Sequence, residues 1–278
     1  MTEGLTQMFV AGVSTEKVGE VAQTLIGVAP SASTVSRLNQ TFTEQFETWR
    51  KRPLQEPWRI LYLDGVHFDL RHGDQVDSTV ILTALGVDLE GNKEVLALRA
   101  CAEEDKDGWR CWLHDLRQRG ATRIDLIVTD GHEGLLTALA ALFAAPPRQR
   151  CVVHKQRNVM NAISKRERAP IATELAGIWK AATKEDALIE LAAFKGKYQK
   201  RYPEAVRSLM GDEEHLLTFY AFPQVMHRSL RTTNAIESFF SNVRQRPDQI
   251  DTFTTETSCL TLVWAVMQGI HVPRIPVK

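Results

Sequence analysis

Apolar side chains recur every three or four positions through the first fifty residues, which is the spacing of amphipathic helices. Glycines at positions 12 and 27 end the first two stretches, so the pattern predicts three helices in residues 5–50. Short consecutive helices are compatible with a DNA-reading helix-turn-helix motif, whose second helix would be residues 34–43. Arg37 would then face the DNA bases. An ordinary helical scaffold explains the same pattern, and both interpretations stay open.

Pro53 and Pro57 mark a boundary, beyond which strands alternate with helices. The predicted order is β-β-β-α-β-α-β-α. Its fourth and fifth strands consist nearly entirely of Ile, Leu and Val, which indicates burial on both faces of a sheet. The predicted strands are 59–71, 78–89, 94–101, 123–129 and 151–154, and the predicted helices are 108–119, 133–143 and 155–164.

Residues 170–222 keep helical spacing and contain no strand pattern, which indicates a helical insertion. We therefore predict an α/β fold built on a mixed five-stranded sheet with flanking helices. In a sheet of this order the first and fourth strands are neighbours. The predicted segments are a small helical N-terminal segment (1–52), the first part of the core (58–168), the helical insertion (169–226) and the last part of the core (227–278).

The composition is that of an ordinary globular protein, with 44% apolar and 24% charged residues among 278. No apolar run reaches the roughly 18 residues of a membrane span, and the N-terminus lacks the basic-then-apolar order of a secretory signal. The four cysteines are too few and too scattered for a disulfide framework. These features predict a cytoplasmic protein.

Three acidic residues occupy positions that favour metal binding. Asp64 follows the apolar run 60–63, and Asp130 follows the largely apolar run 124–129. A carboxylate at the end of a buried strand is unfavourable unless its charge is compensated, and Mg²⁺ takes carboxylate oxygens together with substrate phosphates. Glu237 stands near the start of a predicted helix. Together the three acids indicate a site for phosphoryl transfer.

The basic residues are unevenly distributed. A net charge of zero argues against a protein that coats nucleic acid through its overall field. Residues 148–168, however, contain seven basic residues and one acidic residue. This segment is either a solvated helix face or a surface that contacts DNA, and its position just after Asp130 favours the second interpretation.

Two Cys-x₂-His pairs raise the question of zinc. Cys151 with His154, and Cys111 with His114, together offer four ligands of the kind that structural zinc uses. Cys111 lies beside tryptophans in a predicted amphipathic helix, where packing into the core explains it. We favour an active-site role for His154, which would orient a carboxylate or touch a phosphate.

Five segments occur in an order that is characteristic of one family. They are 63–66 (Leu-Asp-Gly-Val), 128–135 (Val-Thr-Asp-Gly-His-Glu-Gly-Leu), 151–158 (Cys-Val-Val-His-Lys-Gln-Arg-Asn), 201–203 (Arg-Tyr-Pro) and 231–237 (Arg-Thr-Thr-Asn-Ala-Ile-Glu). Through them the chain resembles the bacterial mutator-type transposases, which have a ribonuclease H-like core and an Asp-Asp-Glu triad. The resemblance covers roughly residues 58–270. Its specific part is the last segment in order with the Cys-x-x-His pair.

The resemblance implies that Asp64, Asp130 and Glu237 form the catalytic triad and hold Mg²⁺ or Mn²⁺, as two ions. It implies DNA as the partner, as element ends and as target, with a homo-oligomer assembled on the DNA and associated with the bacterial nucleoid. Membranes play no part in this activity. The residues expected to support the active site are Cys151, His154 and Asn234, and those expected to contact DNA are Lys155, Arg157, Arg231, Arg244 and Arg37.

The chain also departs from the family pattern. Family members often have Asn where this chain has Phe240, and an Arg-Arg pair where residues 244–246 read Arg-Gln-Arg. They usually carry more residues before the core than residues 5–50. The alternatives to a transposase are a nuclease of the same fold and a catalytically silent DNA-binding product of a truncated element, which would act as a repressor or inhibitor. The intact triad favours the enzyme.

Overall fold

The structure is a computed structural model and describes residues 32–54, 57–72, 75–101, 104–244, 256–268 and 273–277. Its five strands are β1 (Trp58–His72), β2 (Gln75–Val87), β3 (Lys93–Cys101), β4 (Ile124–Thr129) and β5 (Arg148–Arg150). They form one sheet in the order β3-β2-β1-β4-β5. β1, β2 and β3 pair antiparallel, whereas β4 runs parallel to β1 and β5. This arrangement confirms the predicted ribonuclease H-like α/β fold.

Helices cover both faces of the sheet. They are α1 (Ala32–Arg50), α2 (Lys106–Gln118), α3 (Glu133–Leu142), α4 (Val152–Asn161), α5 (Arg168–Lys180), α6 (Lys184–Tyr198), α7 (Pro203–Met210), α8 (Glu213–Leu216), α9 (His227–Leu230), α10 (Asn234–Arg244) and α11 (Glu256–Gln268). Within the described segments, none of them has the length and apolar character that a membrane crossing requires.

One face of the sheet is covered by α2 and α3. Trp109, Leu113 and Leu116 of α2 recur at helical spacing and are buried, because they form a single stripe along the helix. They pack with Leu61 and Leu63 of β1. The start of α2 is fixed by its capping residue, whose side chain accepts a hydrogen bond from a backbone N–H in the first turn.

The other face of the sheet carries the remaining helices. Elements between residues 165 and 230 are helical throughout, in agreement with the predicted insertion. Their apolar residues, such as Ile171 and Leu209, belong to the same buried cluster as Ile60 and Tyr62 of β1. These helices therefore pack on the sheet and share its core.

The fifth strand differs from the prediction. The predicted strand 151–154 forms the start of α4, and β5 is the polar tripeptide before it. The apolar content of residues 151–154 suggested a strand. The residues of β5 are polar, and they can be buried because other parts of the chain supply their hydrogen bonds. Gln149 donates to the backbone oxygen of Leu216 at 3.0 Å and accepts from the backbone N–H of Phe219 at 2.9 Å.

The N-terminal region is described from Ala32 onward. α1 includes the predicted helix 34–43, and its apolar side packs against α11. The ring of Phe46 lies 5.8 Å from that of Trp49 and 6.2 Å from that of Trp264, between centroids. The two helices predicted before α1 lie outside the described residues.

Candidate active site

Asp64 and Asp130 stand at the same level of two neighbouring parallel strands. The register pairs Leu63 with Thr129, so the two aspartates follow one residue later on β1 and β4. Asp64 is 4% exposed, and alternation along β1 places it on the same face as Tyr62. Asp130 is half-buried, and its Oδ1 accepts a hydrogen bond from the backbone N–H of His132 at 3.0 Å. The adjacency predicted for these two strands is confirmed.

The turn that carries Asp130 is supported by β5. Gly131 has a φ of +81°, a left-handed conformation that favours glycine. A Cβ at this position would lie 2.4 Å from Cζ of Arg150, so the guanidinium packs directly against the turn. Arg150 is itself buried and therefore fixes the backbone that presents Asp130.

Glu237 lies in the first turn of α10. The segment before this helix is anchored to the sheet, because Tyr62 Oη donates to the backbone oxygen of Ser229 at 3.1 Å. It is also anchored to α4, where the backbone N–H of Val152 donates to the oxygen of Arg231 at 2.9 Å. The Glu237 side chain is 47% exposed, and its Oε1 lies 3.9 Å from His154 Nε2.

Cys151, His154 and Thr233 form the contact between α4 and the start of α10. Cys151 Sγ accepts from the backbone N–H of Thr233 at 3.4 Å and from its Oγ1 at 3.6 Å. Thr233 Oγ1 lies 3.5 Å from His154 Nδ1. One ring nitrogen of His154 therefore faces Thr233 while the other faces Glu237. This contact fixes the imidazole between the two helices.

The carboxyl of Asp64 is held in an environment that disfavours its charge. Burial, and then the charge of Asp130, raise the pKa of Asp64 from its ordinary value of 3.8 to about 7. The charge of His154 and a hydrogen bond from Thr233 oppose this shift without cancelling it. The pKa of His154 is itself raised, first by its hydrogen bond to Cys151 and further by the charges of Asp64 and Asp130.

These groups fit a divalent cation. The ligand atoms of Asp64, His154 and Glu237 all lie within 4.8 Å of one another. A buried carboxylate with a raised pKa, set beside further acids, is a charge that a cation would compensate. The donor set is dominated by carboxylate oxygens, which suit Mg²⁺ and Mn²⁺. Asp64 and Glu237 are therefore placed to share the metal that the sequence predicts, with His154 as the third member of the group; among the described residues Asp130 stands outside it.

Lys155 is placed differently from the sequence prediction. Its side chain is 7% exposed, and its Nζ lies 2.6 Å from Asp212 Oδ2 and 2.7 Å from the backbone oxygen of Ser208. Arg150 Nε donates to the same carboxylate oxygen at 2.9 Å. Lys155 thus neutralises Asp212 inside the protein and does not present its ammonium group to DNA.

Arg231 also has an internal role. Its guanidinium donates to the backbone oxygen of Trp179 and lies 6.0 Å from the ring centroid of Phe219. Arg231 therefore links the loop before α10 to the end of α5. Its side chain is half-buried, so we do not count it among the cations that face DNA.

The seven basic residues of the run 148–168 differ in exposure, with Arg148 and Arg168 half-buried. The internal members of the run are Arg150 and Lys155, which share Asp212. Its exposed members are Arg157, Lys165 and Arg166. Arg157 lies three residues after His154 on α4, so the two side chains point to the same side of the helix. Of the exposed members, Arg157 therefore lies on the side of α4 that carries His154.

Two of the other predicted site residues are exposed at the protein surface. Asn234 is the exposed first residue of α10, and its backbone N–H donates to Thr232 Oγ1 at 3.3 Å. Arg37 is exposed on α1. The side chain of Arg244 lies outside what the structure describes.

The two Cys-x₂-His pairs do not come together among the described residues. Cys111 is exposed on α2, contrary to the expectation that it packs into the core, and the neighbouring tryptophans occupy the buried stripe instead. His114 is exposed as well. Cys151 is fully buried against Thr233. This arrangement gives no support to a shared zinc site.

Two residues near the site were not singled out from the sequence. Thr233 lies within a recognised segment but had no assigned role. Glu104 follows β3, and its Oε2 lies 3.9 Å from Nδ1 of His132, whose backbone N–H donates to Asp130. The sequence did not distinguish Glu104 from the acidic residues on either side of it, Glu103 and Asp105.

Comparisons with known proteins agree with the fold and with the family that the sequence resembles. The family described as "Transposase, Mutator family" matches residues 1–273. The "Transposase for insertion sequence element ISRM5" of Rhizobium meliloti (strain 1021) is 32% identical over 267 residues, covering 96% of this chain and 67% of that protein. The "Transposase for insertion sequence element IS905" of Lactococcus lactis subsp. lactis (strain IL1403) is 29% identical over 256 residues, covering 92% and 65%. The chain spans about two thirds of the length of these relatives.

A solved structure shares the fold. The "Drosophila P element transposase strand transfer complex" has a TM-score of 0.51 over 98% of this chain and 93% of that chain, with 10% sequence identity. At this level of identity the likeness bears on the fold alone. It agrees with the ribonuclease H-like sheet order and with helices packed on both faces.

Proposed function

Because the chain belongs to the mutator family of transposases, we propose that it catalyses the metal-dependent cleavage of DNA strands at the ends of an insertion element and their transfer to target DNA. The observation that carries this proposal is the environment of Asp64. Its buried carboxylate stands level with Asp130 and within 4.8 Å of the ligand atoms of Glu237 and His154. Phosphoryl transfer needs such a cluster of acids and little else from the protein.

In the proposed mechanism Asp64, Asp130 and Glu237 hold the metal centre from three different elements. Two divalent cations, when bound, would activate the attacking water or 3′-hydroxyl and stabilise the leaving 3′-oxygen. Asp64 is fixed by burial and by the hydroxyl of Thr233, and Asp130 is fixed by the turn that Arg150 supports. Glu237 is the most exposed of the three acids, so α10 would supply the metal ligand on the solvent side of the site.

His154 has a positioning role in this proposal. Its Nδ1 faces Thr233 and its Nε2 faces Glu237 at 3.9 Å. Carboxylates that ligate metals are commonly held by such neighbouring groups. Cys151 contributes by accepting the Thr233 N–H, which ties α10 to α4. These three residues together set the distance of Glu237 from Asp64.

A direct test uses a duplex made from the DNA that flanks the reading frame, which supplies the element's own ends. We expect cleavage and joining with Mg²⁺ or Mn²⁺, and little with Ca²⁺, whose looser coordination does not align the attack. Cleavage without joining would indicate a nuclease. Binding without cleavage under every metal condition would indicate a DNA-binding repressor or inhibitor, and full activity in excess chelator would rule out the metal mechanism.

Metal binding is expected to displace a proton from Asp64. Because the folded-state pKa is about 7, Asp64 is largely protonated below that pH and must ionise to bind a cation. The affinity for Mn²⁺ should therefore fall about tenfold for each pH unit below 7 and level off above it. Calorimetry in buffers of different ionisation enthalpy would measure the proton release. An affinity that is flat from about pH 5 to pH 8 would contradict this prediction.

Arg157 is expected to contact DNA phosphate, whereas Lys155 is not. Arg157→Ala should weaken binding about equally across DNA sequences and reduce the slope of log affinity against log salt by about 0.9. Arg110 is an exposed arginine on α2, across the sheet from α4, so Arg110→Ala serves as the matched control. Salt-dependent binding measured for the two variants decides the question. Equal slopes for Arg157→Ala and Arg110→Ala would place the DNA on another surface.

A further inference from the structure

Glu104 carries a largely but not fully buried carboxylate that the proposed mechanism does not use. It lies between β3 and α2, on the face of the sheet opposite to α10, and its side chain is 12% exposed. Burying an ionisable group is unfavourable without a compensating partner. The position of Glu104 therefore needs an explanation beyond packing.

The carboxylate of Glu104 lies directly against the strand that carries Asp64. A Cβ at Gly65 would lie 2.3 Å from Glu104 Oε1. The Glu104 carboxylate can therefore lie against β1 only because Gly65, the residue after Asp64, has no side chain. This contact brings a third carboxylate to β1 from the side opposite to Glu237.

The polar atoms around Glu104 are incompletely satisfied. Within the part of the chain that the structure describes, Glu104 Oε2 and His132 Nδ1 are both buried without a hydrogen bond, and they lie 3.9 Å apart. His67 Nε2 lies 4.0 Å from the other oxygen. Buried atoms that lack partners are rare in proteins and commonly mark a site for an ion or water.

The charges around Glu104 connect it to the proposed metal site. Burial, and then the charge of Asp130, raise the pKa of Glu104, whereas the charges of His132 and His67 and the neighbouring indole N–H of Trp109 lower it. His132 also donates its backbone N–H to Asp130 Oδ1. His132 thus connects the two acids, because its ring lies 3.9 Å from Glu104 Oε2 and its backbone is bonded to Asp130.

We propose that Glu104 is a fourth acidic residue of the active site, which contributes a carboxylate oxygen to the divalent cation held by Asp130, and that His132 positions it. This inference rests on the proposed function of the same site. The acids then approach the middle of β1 and the end of β4 from both faces of the sheet, with Glu237 on one side and Glu104 on the other. His132 is a positioning residue, because Mg²⁺ prefers oxygen ligands.

The test is the binding of Mn²⁺ to Glu104→Gln, measured by titration calorimetry in the absence of DNA. We expect the affinity to fall roughly 10–100-fold, as it does when a supporting or ligating group is removed. Glu133→Gln is the matched control, because Glu133 is an exposed acid at the start of α3, on the same side of the sheet. In excess chelator, Glu104→Gln should unfold at no lower a temperature than Glu133→Gln, since it removes an uncompensated buried charge.

Affinities of Glu104→Gln and Glu133→Gln that agree within about twofold would overturn the inference. If Glu104→Gln fails to fold, Glu104→Asp keeps the charge and shortens the side chain, and a wild-type affinity in that variant would overturn it equally. Asp64→Asn separates the two proposals. Loss of Mn²⁺ binding in Asp64→Asn with no change in Glu104→Gln rejects Glu104 alone, whereas wild-type protein that binds no Mn²⁺ rejects the proposed metal site itself.

Discussion

Substituting Asp64 by Asn is expected to reduce strand cleavage and joining by about a thousandfold or more, and Asp130→Asn and Glu237→Gln should act similarly. Metal-assisted stabilisation of the transition state contributes several kcal/mol, and about 4 kcal/mol corresponds to roughly a thousandfold in rate. Each substitution keeps the shape of the side chain and removes the charge that the cation requires. The measurement is the rate of cleavage and joining on the element's ends with Mg²⁺.

The loss of activity should occur without loss of the fold. Because the pKa of Asp64 is raised in the folded protein, its ionised form destabilises the fold as the pH rises from about 4 to about 7. Asp64→Asn should therefore unfold at no lower a temperature than wild type in chelator at pH above 7. Asp125→Asn is the matched control, because Asp125 is an exposed aspartate on β4. Normal joining activity in any one of the three variants would remove that residue from the triad.

The second large effect concerns the stability of the fold. Asp212→Asn is expected to lower the free energy of unfolding by about 3–5 kcal/mol, because it leaves two buried cations without their shared partner. Arg150 and Lys155 are 6% and 7% exposed, and both contact Asp212 Oδ2. For a domain of this size the loss corresponds to a decrease of roughly 10 °C in the unfolding temperature. Thermal unfolding of the purified variant measures it.

The neighbouring Glu213 provides the control. It is exposed, so Glu213→Gln should change the unfolding temperature by about 1 °C at most. A double variant, Asp212→Asn with Lys155→Met, should recover part of the loss because it removes one of the unpaired charges. Asp212→Asn should also reduce catalysis, since Arg150 supports the turn of Asp130. Equal unfolding temperatures for Asp212→Asn and Glu213→Gln would show that the network is not a stabilising feature.

Local patterns were sufficient to predict four of the five strands and the pairing of β1 with β4, whereas the fifth strand was predicted at 151–154 instead of Arg148–Arg150. β1 and β4 each end an apolar run in an aspartate, and the order of the elements makes these strands neighbours. The register Leu63–Thr129 then brings Asp64 and Asp130 to one level. The start of the helix that carries Glu237 was also predicted, because the polar residues 231–234 directly precede an amphipathic stretch in the sequence.

Residues whose environment is set by distant parts of the chain could not be predicted in this way. Gln149 reads as a surface residue, yet it is buried because Leu216 and Phe219 supply its hydrogen bonds. Lys155 reads as a DNA-binding cation, yet Asp212 lies 57 positions later and neutralises it. All three partners come from the segment predicted as an insertion, and no local pattern connects them to β5 or α4.

The residues around the triad could not be predicted either, because their partners also come from distant parts of the chain. Thr233 acts through contacts with Cys151 and His154, which come from a separate helix. Glu104 reaches the site only because Gly65 leaves space beside β1. Gly65 lies within β1, as the predicted strand 59–71 has it, but the sequence does not show that its missing side chain admits a carboxylate.

The central claim is that Asp64, Asp130 and Glu237 hold divalent metal ions. Anomalous diffraction from crystals of the protein grown with Mn²⁺ tests it most directly, because the signal locates the ion independently of activity. We predict anomalous density bounded by the carboxylates of Asp64 and Asp130, with Glu237 on the side of α10. Mn²⁺ density only at other acidic residues, or density at Cys151 that proves to be zinc, would contradict the account.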